Sequence, residues 1–373
     1  VTFFRRFLRP LRKKAWPLAL CSPALFVFVG CSPIYLFRAA VEENRILWRR
    51  EPIESVLARG DLDAATRRKL ELVLKVRTFA RDRLGLKVRG SYASYSYVDR
   101  EDLSYILTAA PKFDLRPYTW WFLFVGRVPY KGFFSLDSAR EEARRLADEG
   151  HDTYIRTAAA FSTLGWFDDP LLAHLLRYDE VHLAELIFHE LLHGTVFVAG
   201  AVDFNESFAN FVGHRAAVAF FRDRGGEEDV RHKSAARAWE DELAFSRHLT
   251  ALAAALRELY GREMPAEEKL RRREKIFAAS RSDWAARVAE RAGHCHRGFA
   301  REELNNAVVT HHLLYLTDLD LFESLFYASG RDLRRAIEQI VGGLASGGEP
   351  FAALRRSLSK AGLENEPVPQ PTR

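Results

Sequence analysis

Cysteine is scarce in this chain, with three in 373 residues, and that scarcity excludes a disulfide-stapled scaffold. Cys21 and Cys31 both fall in an unusual N-terminal stretch, so Cys295 alone belongs to the body of the protein. His294-Cys295-His296 invites a metal reading, but adjacent side chains point in different directions and no partner pair with suitable spacing accompanies them. Acidic residues are missing from positions 1–14, which carry Arg5, Arg6, Arg9, Arg12, Lys13 and Lys14. An apolar run from Ala15 to Gly30 follows, broken by Pro17, Ser22 and Pro23. A basic segment, a short apolar segment and a small residue before a cut describe a secretory signal over residues 1–30. Phe28-Val29-Gly30-Cys31 looks like a lipoprotein processing site, with Phe28 where leucine is usual. Cys31 would then carry lipid and anchor the protein to a membrane at the cell envelope, on the periplasmic face. The alternative is an uncleaved N-terminal anchor helix, which also leaves the rest of the chain outside the cytoplasm.

A charge surplus is missing from the remainder. The chain has 56 Lys+Arg against 50 Asp+Glu, and removing the six cations before Cys31 leaves 50 against 50. The basic balance is therefore a targeting feature and gives no support to a nucleic-acid partner. Repeats and long low-complexity linkers are missing too, and only residues 365–373, with Pro367, Pro369 and Pro371, read as a disordered tail.

What is present is His189-Glu190-Leu191-Leu192-His193. Four residues make about one helical turn, so both imidazoles leave the same side of a helix and can share one metal ion. Glu190 lies on the flank of the pair. There it can take a proton from a metal-activated water as general base without being a ligand. The lead-in opens on two acids, Asp179 and Glu180, which suit a helix N-terminus. Leu183, Leu186, Ile187, Leu191 and Leu192 form an apolar stripe beside the histidines, and Gly194 can let the chain turn away or let a neighbouring backbone approach.

A catalytic zinc usually takes three protein ligands. Glu206, in Asn205-Glu206, is the candidate for the third. A helix is expected over residues 207–222, with Phe208, Phe211, Val212, Ala216, Val218 and Ala219 at helical spacing. Glu206 would occupy its first turn. Asn210, one turn on, would hold a ligand imidazole through the ring's other nitrogen. Histidine and carboxylate donors make Zn²⁺ the expected ion.

With these residues the chain resembles the bacterial putative aminopeptidases of the gluzincin metallopeptidase type, which pair H-E-x-x-H with an Asn-Glu on the next helix. The likeness extends to the blocks Ser91–Tyr95, Gly126–Phe134, Phe161–Pro170 and Leu304–Ala307, and covers the chain from about Cys31 to past residue 340. The spacing from His193 to Glu206 is shorter than in the best-known gluzincins. The resemblance implies a zinc metallopeptidase acting on peptide substrates, with exo- and endo-cleavage both open.

The expected fold is α+β: one metallopeptidase domain over residues 31–364, mixed over about 85–200 and helical over about 201–364. A helix over 61–84 opens near Asp61 and buries Leu70, Leu72, Val73, Val76 and Phe79. Trp120–Val125 and Val128–Phe134 read as strands of one small sheet, and Thr153–Ala160 as part of another, with a helix over 136–149 between them. Later helices are expected over 235–260, 266–292 and 331–344. The stretch from Tyr154 to Ser162 is the candidate strand for pairing with a substrate backbone, the alternative being an internal strand. For the oxyanion of peptide hydrolysis, Tyr315 and His312 are the candidate donors. Two further readings remain beside an extracytoplasmic aminopeptidase: an envelope zinc endopeptidase, and a non-catalytic membrane-anchored scaffold with a relict metal site.

Overall fold

The computed structural model describes residues 50–97, 105–122, 126–157, 168–289, 296–345 and 347–360. The expectations placed on residues 1–30, Cys31, Cys295 and 365–373 lie outside these residues.

The chain opens with β1 (Arg50–Pro52), α1 (Ile53–Leu57) and α2 (Ala64–Asp82). The Asp63 carboxylate accepts from the backbone N–H groups of Ala65 and Thr66, each at 2.9 Å, so α2 begins there rather than near Asp61. The five apolar residues expected on its inner face are all buried. There follow β2 (Ser94–Ser96), β3 (Tyr105–Pro111), β4 (Trp120–Phe122), β5 (Gly126–Val128), β6 (Lys131–Phe133), α3 (Leu136–Asp148), β7 (His151–Thr157) and β8 (Leu171–Leu172).

These strands make three small sheets. One has the order β1-β2-β8, another is the β4-β5 hairpin, and the third has the order β6-β3-β7 with both pairings antiparallel. The strand expectations are corrected in two ways. Trp120–Phe122 pairs only with Gly126–Val128, because the run toward Phe134 is broken at Pro129, which has no N–H to give a ladder. Lys131–Phe133 instead joins the same sheet as β7, through β3. Within the described residues β7 is an edge strand of that sheet; the rest of the stretch to Ser162 lies outside them. Ala139, Ala143 and Leu146 of α3 pack with Leu107, Ala109, Trp120 and Phe133 in a small core of their own.

The remaining chain is helical: α4 (Glu180–His193), α5 (Val202–Gly225), α6 (Val230–Gly261), α7 (Ala266–Ala289), α8 (Asn306–Leu316), α9 (Leu319–Ala328), α10 (Leu333–Leu344) and α11 (Pro350–Lys360). The fold is thus α+β, with small mixed sheets first and a mostly helical region after. The larger core runs through this region and takes in α2. Phe188 of α4 meets Phe79 of α2 edge-on at 5.9 Å and Phe220 of α5 at 6.1 Å, so α4 is wedged between the two helices.

The Asn305-Asn306 block joins the helical region to the sheet. The Asn305 side chain accepts from Val308 N at 3.0 Å, capping α8, and donates to the Thr153 carbonyl of β7 at 3.1 Å. Asn306, fully buried, donates its amide to the carbonyls of Pro111 and Asp114, and its backbone N–H to Asp152 Oδ2 at 3.0 Å. The consequence is that α8 lies against β7.

Candidate metal centre

Helix α4 starts on Asp179, whose carboxylate accepts from the N–H groups of Val181 and His182 at 2.9 Å. Val181, Leu183, Ala184, Ile187, Phe188, Leu191 and Leu192 are buried, each large one stabilising the fold by about 1.5–3 kcal/mol. That burial fixes the rotation of α4 and leaves His189 and His193 on the face toward α5. Gly194 ends the helix with φ −68°, so the turn does not require glycine, and a Cβ there would meet the neighbouring Lys87 carbonyl at 3.8 Å, an ordinary contact.

Helix α5 begins at Val202, earlier than expected, which puts Glu206 in the second turn rather than the first. The Asn205 side chain closes a two-way bridge to Val198, accepting from its N–H at 2.9 Å and donating to its carbonyl at 2.8 Å. This holds the connecting loop against α5 and sets the depth at which Glu206 enters. Farther along, Gly213 allows the two helices to meet: a Cβ there would lie 2.8 Å from the Glu185 carbonyl and 3.3 Å from His189 Cβ.

These constraints bring His189, His193 and Glu206 together as a group that could hold a metal ion. His189 Nε2 and His193 Nε2 are 3.1 Å apart, and Glu206 Oε2 is 3.4 Å from the first and 3.5 Å from the second. Ligands about 2.0–2.1 Å from a tetrahedral ion are separated by edges of about 3.3–3.4 Å. The three donor atoms therefore already stand at the spacing of one tetrahedral face. Burial alone would push the Glu206 carboxyl up, but the imidazoles of His193 and His189 outweigh it and hold it well below the usual carboxylate range. Burial also opposes charge on His193, yet the adjacent Glu206 carboxylate raises that imidazole above its ordinary value. A carboxylate kept ionised among two imidazoles is the donor chemistry that a divalent cation needs.

The group opens onto a cavity of about 720 Å³, whose lining includes Glu190, Tyr130, Arg156 and Tyr315. Glu190 Oε2 is buried and has no hydrogen-bond partner among the described residues. An ionisable oxygen left this way costs free energy unless a ligand or water meets it. Tyr130 and Tyr315 both stay protonated far beyond ordinary phenols, first through burial and then through repulsion from Glu206, with Glu190 adding to it. That places both hydroxyls in the field of the candidate centre.

Asn210 corrects an expectation. Its Nδ2 donates to the backbone carbonyl of Tyr315 at 3.3 Å, and no hydrogen bond joins it to either imidazole among the described residues. One turn past Glu206 the asparagine side chain is turned to α8 instead. His312 also lines the cavity; burial lowers its pKa, and its Nε2 lies 3.8 Å from Glu302 Oε2, with no closer hydrogen-bond partner among the described residues.

Sequence reasoning missed Tyr130, Arg156 and a buried cluster of histidine and glutamate behind the centre. His214 Nδ1 meets Glu185 Oε1 at 3.0 Å, and its Nε2 is 3.6 Å from Glu242 Oε1. Burial opposes charge on His214, but Glu185 foremost raises its pKa to about 10. His296 Nε2 is 2.9 Å from the same oxygen of Glu242. Glu185 stands one turn before His189, a spacing visible in the sequence, whereas His214 and Glu242 carry no such signal.

No curated protein and no solved structure matches the chain. The family model described as Putative aminopeptidase matches residues 34–347, a range that holds every residue of this site. The chain belongs to the Putative aminopeptidase family.

Proposed function

We propose that this protein is a zinc-dependent aminopeptidase of gluzincin type, with His189, His193 and Glu206 as the zinc ligands. The observation that carries the reading is the buried, unpartnered Oε2 of Glu190 beside that ligand group. A binding-only metal site has no use for a second carboxylate kept without a partner. Two imidazoles and one carboxylate are the donor set of zinc peptidases that keep an open position, and the family membership supplies the peptide substrate.

A zinc ion held there supplies Lewis acidity, polarising the scissile carbonyl and acidifying water. Glu190 takes the proton of the attacking water at its free oxygen and returns it to the departing amine. Tyr315, with Tyr130 in the same cavity lining, donates to the carbonyl oxygen as it gains negative charge. Both phenols keep their protons throughout, since burial and the neighbouring carboxylates disfavour the phenolate. Among the described residues β7 has one side without a strand neighbour, which suits main-chain pairing with an extended peptide. Cys31 lipidation would place this activity at the cell envelope.

The test is Glu190→Gln in the zinc-loaded protein, assayed on matched free-amine and N-blocked peptides. We expect zinc content to be unchanged and turnover to fall by about 10²–10⁴-fold. Full turnover in this variant would overturn the mechanism. Preference for N-blocked peptides in the wild type would assign an endopeptidase instead.

A further inference from the structure

Arg156 of β7 reaches into the same cavity. Its Nη2 donates to the Tyr315 hydroxyl at 3.2 Å, its Nη1 is 3.4 Å from the Thr157 carbonyl, and its guanidinium lies 5.9 Å from the Tyr315 ring centre. Among the described residues its buried Nε has no partner, and no carboxylate forms an ion pair with the guanidinium. A structural salt bridge therefore does not account for a guanidinium at this position.

The hydrogen-bond chemistry of the two groups decides what the contact does. Guanidinium carries five donors and no acceptor, whereas a phenol has one donor and accepts through the same oxygen. Tyr315 Oη must then be the acceptor from Arg156, and the single O–H of Tyr315 has to point elsewhere. Among the described residues no acceptor takes that hydrogen. Tyr315 lines the cavity shared with Glu190, Glu206 and His189.

We infer that Arg156 is a positioning residue, which occupies the acceptor side of Tyr315 and so presets its O–H as a donor into the cavity, toward the oxyanion of the substrate. This rests on the peptidase reading above. Two independent ties hold the pair in register. The Asn305 amide fastens α8 to β7 at Thr153, and the Asn210 amide holds the Tyr315 carbonyl. A donor held in place before the substrate arrives stabilises developing charge without paying reorganisation. Without Arg156, the hydroxyl could turn its hydrogen toward any nearby acceptor and present a lone pair to the oxyanion.

The experiment compares Arg156→Lys, Arg156→Gln, Tyr315→Phe and the double variant Arg156→Gln/Tyr315→Phe in the zinc-loaded full chain. Lysine is again donor-only, while glutamine offers an acceptor that can capture the phenol hydrogen. We expect Tyr315→Phe to lower kcat by about 10²-fold and Arg156→Gln by about tenfold or more, both with little change in KM. Arg156→Lys should recover most of the loss. In the Tyr315→Phe background, Arg156→Gln should have no further effect, because a residue that acts through another is silent once that other is gone. Equal losses from Arg156→Gln in both backgrounds, or Lys as poor as Gln, would overturn the inference.

A second readout does not depend on turnover. With 3,5-difluorotyrosine at position 315 in protein free of added metal, ¹⁹F NMR reports ionisation of that phenol. Loss of the adjacent cation in Arg156→Gln should shift its titration to higher pH; an unchanged titration would overturn the contact. Should the wild type hydrolyse no peptide while this shift is seen, the peptidase reading fails and the Arg156–Tyr315 arrangement stands.

Discussion

Asn210 Nδ2 donates across 3.3 Å to the backbone carbonyl of Tyr315, joining the helix that carries Glu206 to the helix that carries the candidate oxyanion donor. Ser207 strengthens the same join, its hydroxyl accepting from Thr317 N at 3.0 Å. The distance between ligand and donor helices is thus set by side chains one turn or less from the ligand itself.

Asn210→Leu keeps the volume and removes the donor. We expect zinc stoichiometry and affinity to hold while kcat drops about three- to tenfold, in line with one modest hydrogen bond. Isothermal titration with zinc checks this. Had Asn210 oriented an imidazole, affinity would fall by about 10–100-fold instead.

Gly213→Ala sets helix propensity against packing. Alanine favours a helix by about 1 kcal/mol, but its Cβ would stand 2.8 Å from the backbone carbonyl of Glu185, which has no flexible end to move. Overpacking should win and cost about 1–3 kcal/mol. Denaturant unfolding should show the loss of stability, and zinc titration a weaker site, because His189 lies on the displaced surface.

The His214 network makes stability depend on pH in two windows. The pKa of His214 is raised to about 10, so its contribution is full below the unfolded value near 6.5 and disappears as pH climbs through about 10. Burial would raise Glu242, but His296 and His214 outweigh it and hold its pKa far below 4.5. Its contribution is therefore present above 4.5 and lost as pH falls through the depressed value. Thermal midpoints should be flat between about 4.5 and 6.5 and decline on either side. His214→Gln should flatten the alkaline decline, whose full size is on the order of a few kcal/mol. An unaltered alkaline limb in that variant would remove His214 as its cause.

Zinc should raise the thermal midpoint of the wild type in a concentration-dependent way, and a chelator should reverse the gain. His193→Ala should abolish the response. Because Glu206 raises the pKa of His193, uptake has to displace a proton, so affinity should weaken as pH is lowered toward 6 and below. Proton release measured during titration in buffers of different ionisation enthalpy checks the sign.

Much of the local architecture was legible in the chain. Asp179 as a helix start, the buried stripe of α4 and the inner face of α2 follow from capping and a 3.6-residue period, which act over a few neighbours. The strands were read less well. Short strands take their partners from distant segments, and nothing local in Lys131–Phe133 says that it pairs with Tyr105–Leu107 rather than with the neighbouring hairpin. The start of α5 was misplaced because Asn205 uses its side chain on Val198, a loop contact without a periodic signature.

For the site, the sequence by itself determined that two imidazoles leave one face of one helix with Glu190 at their flank, since helical geometry alone dictates the result. Tertiary structure decided the rest. It set the depth of Glu206, left Glu190 Oε2 without a partner among the described residues, and turned Asn210 toward Tyr315 instead of an imidazole. It also brought Arg156 to a tyrosine 159 residues away. Contacts of that range depend on how helix α8 and strand β7 pack, and packing is a property of the whole core rather than of any window of residues.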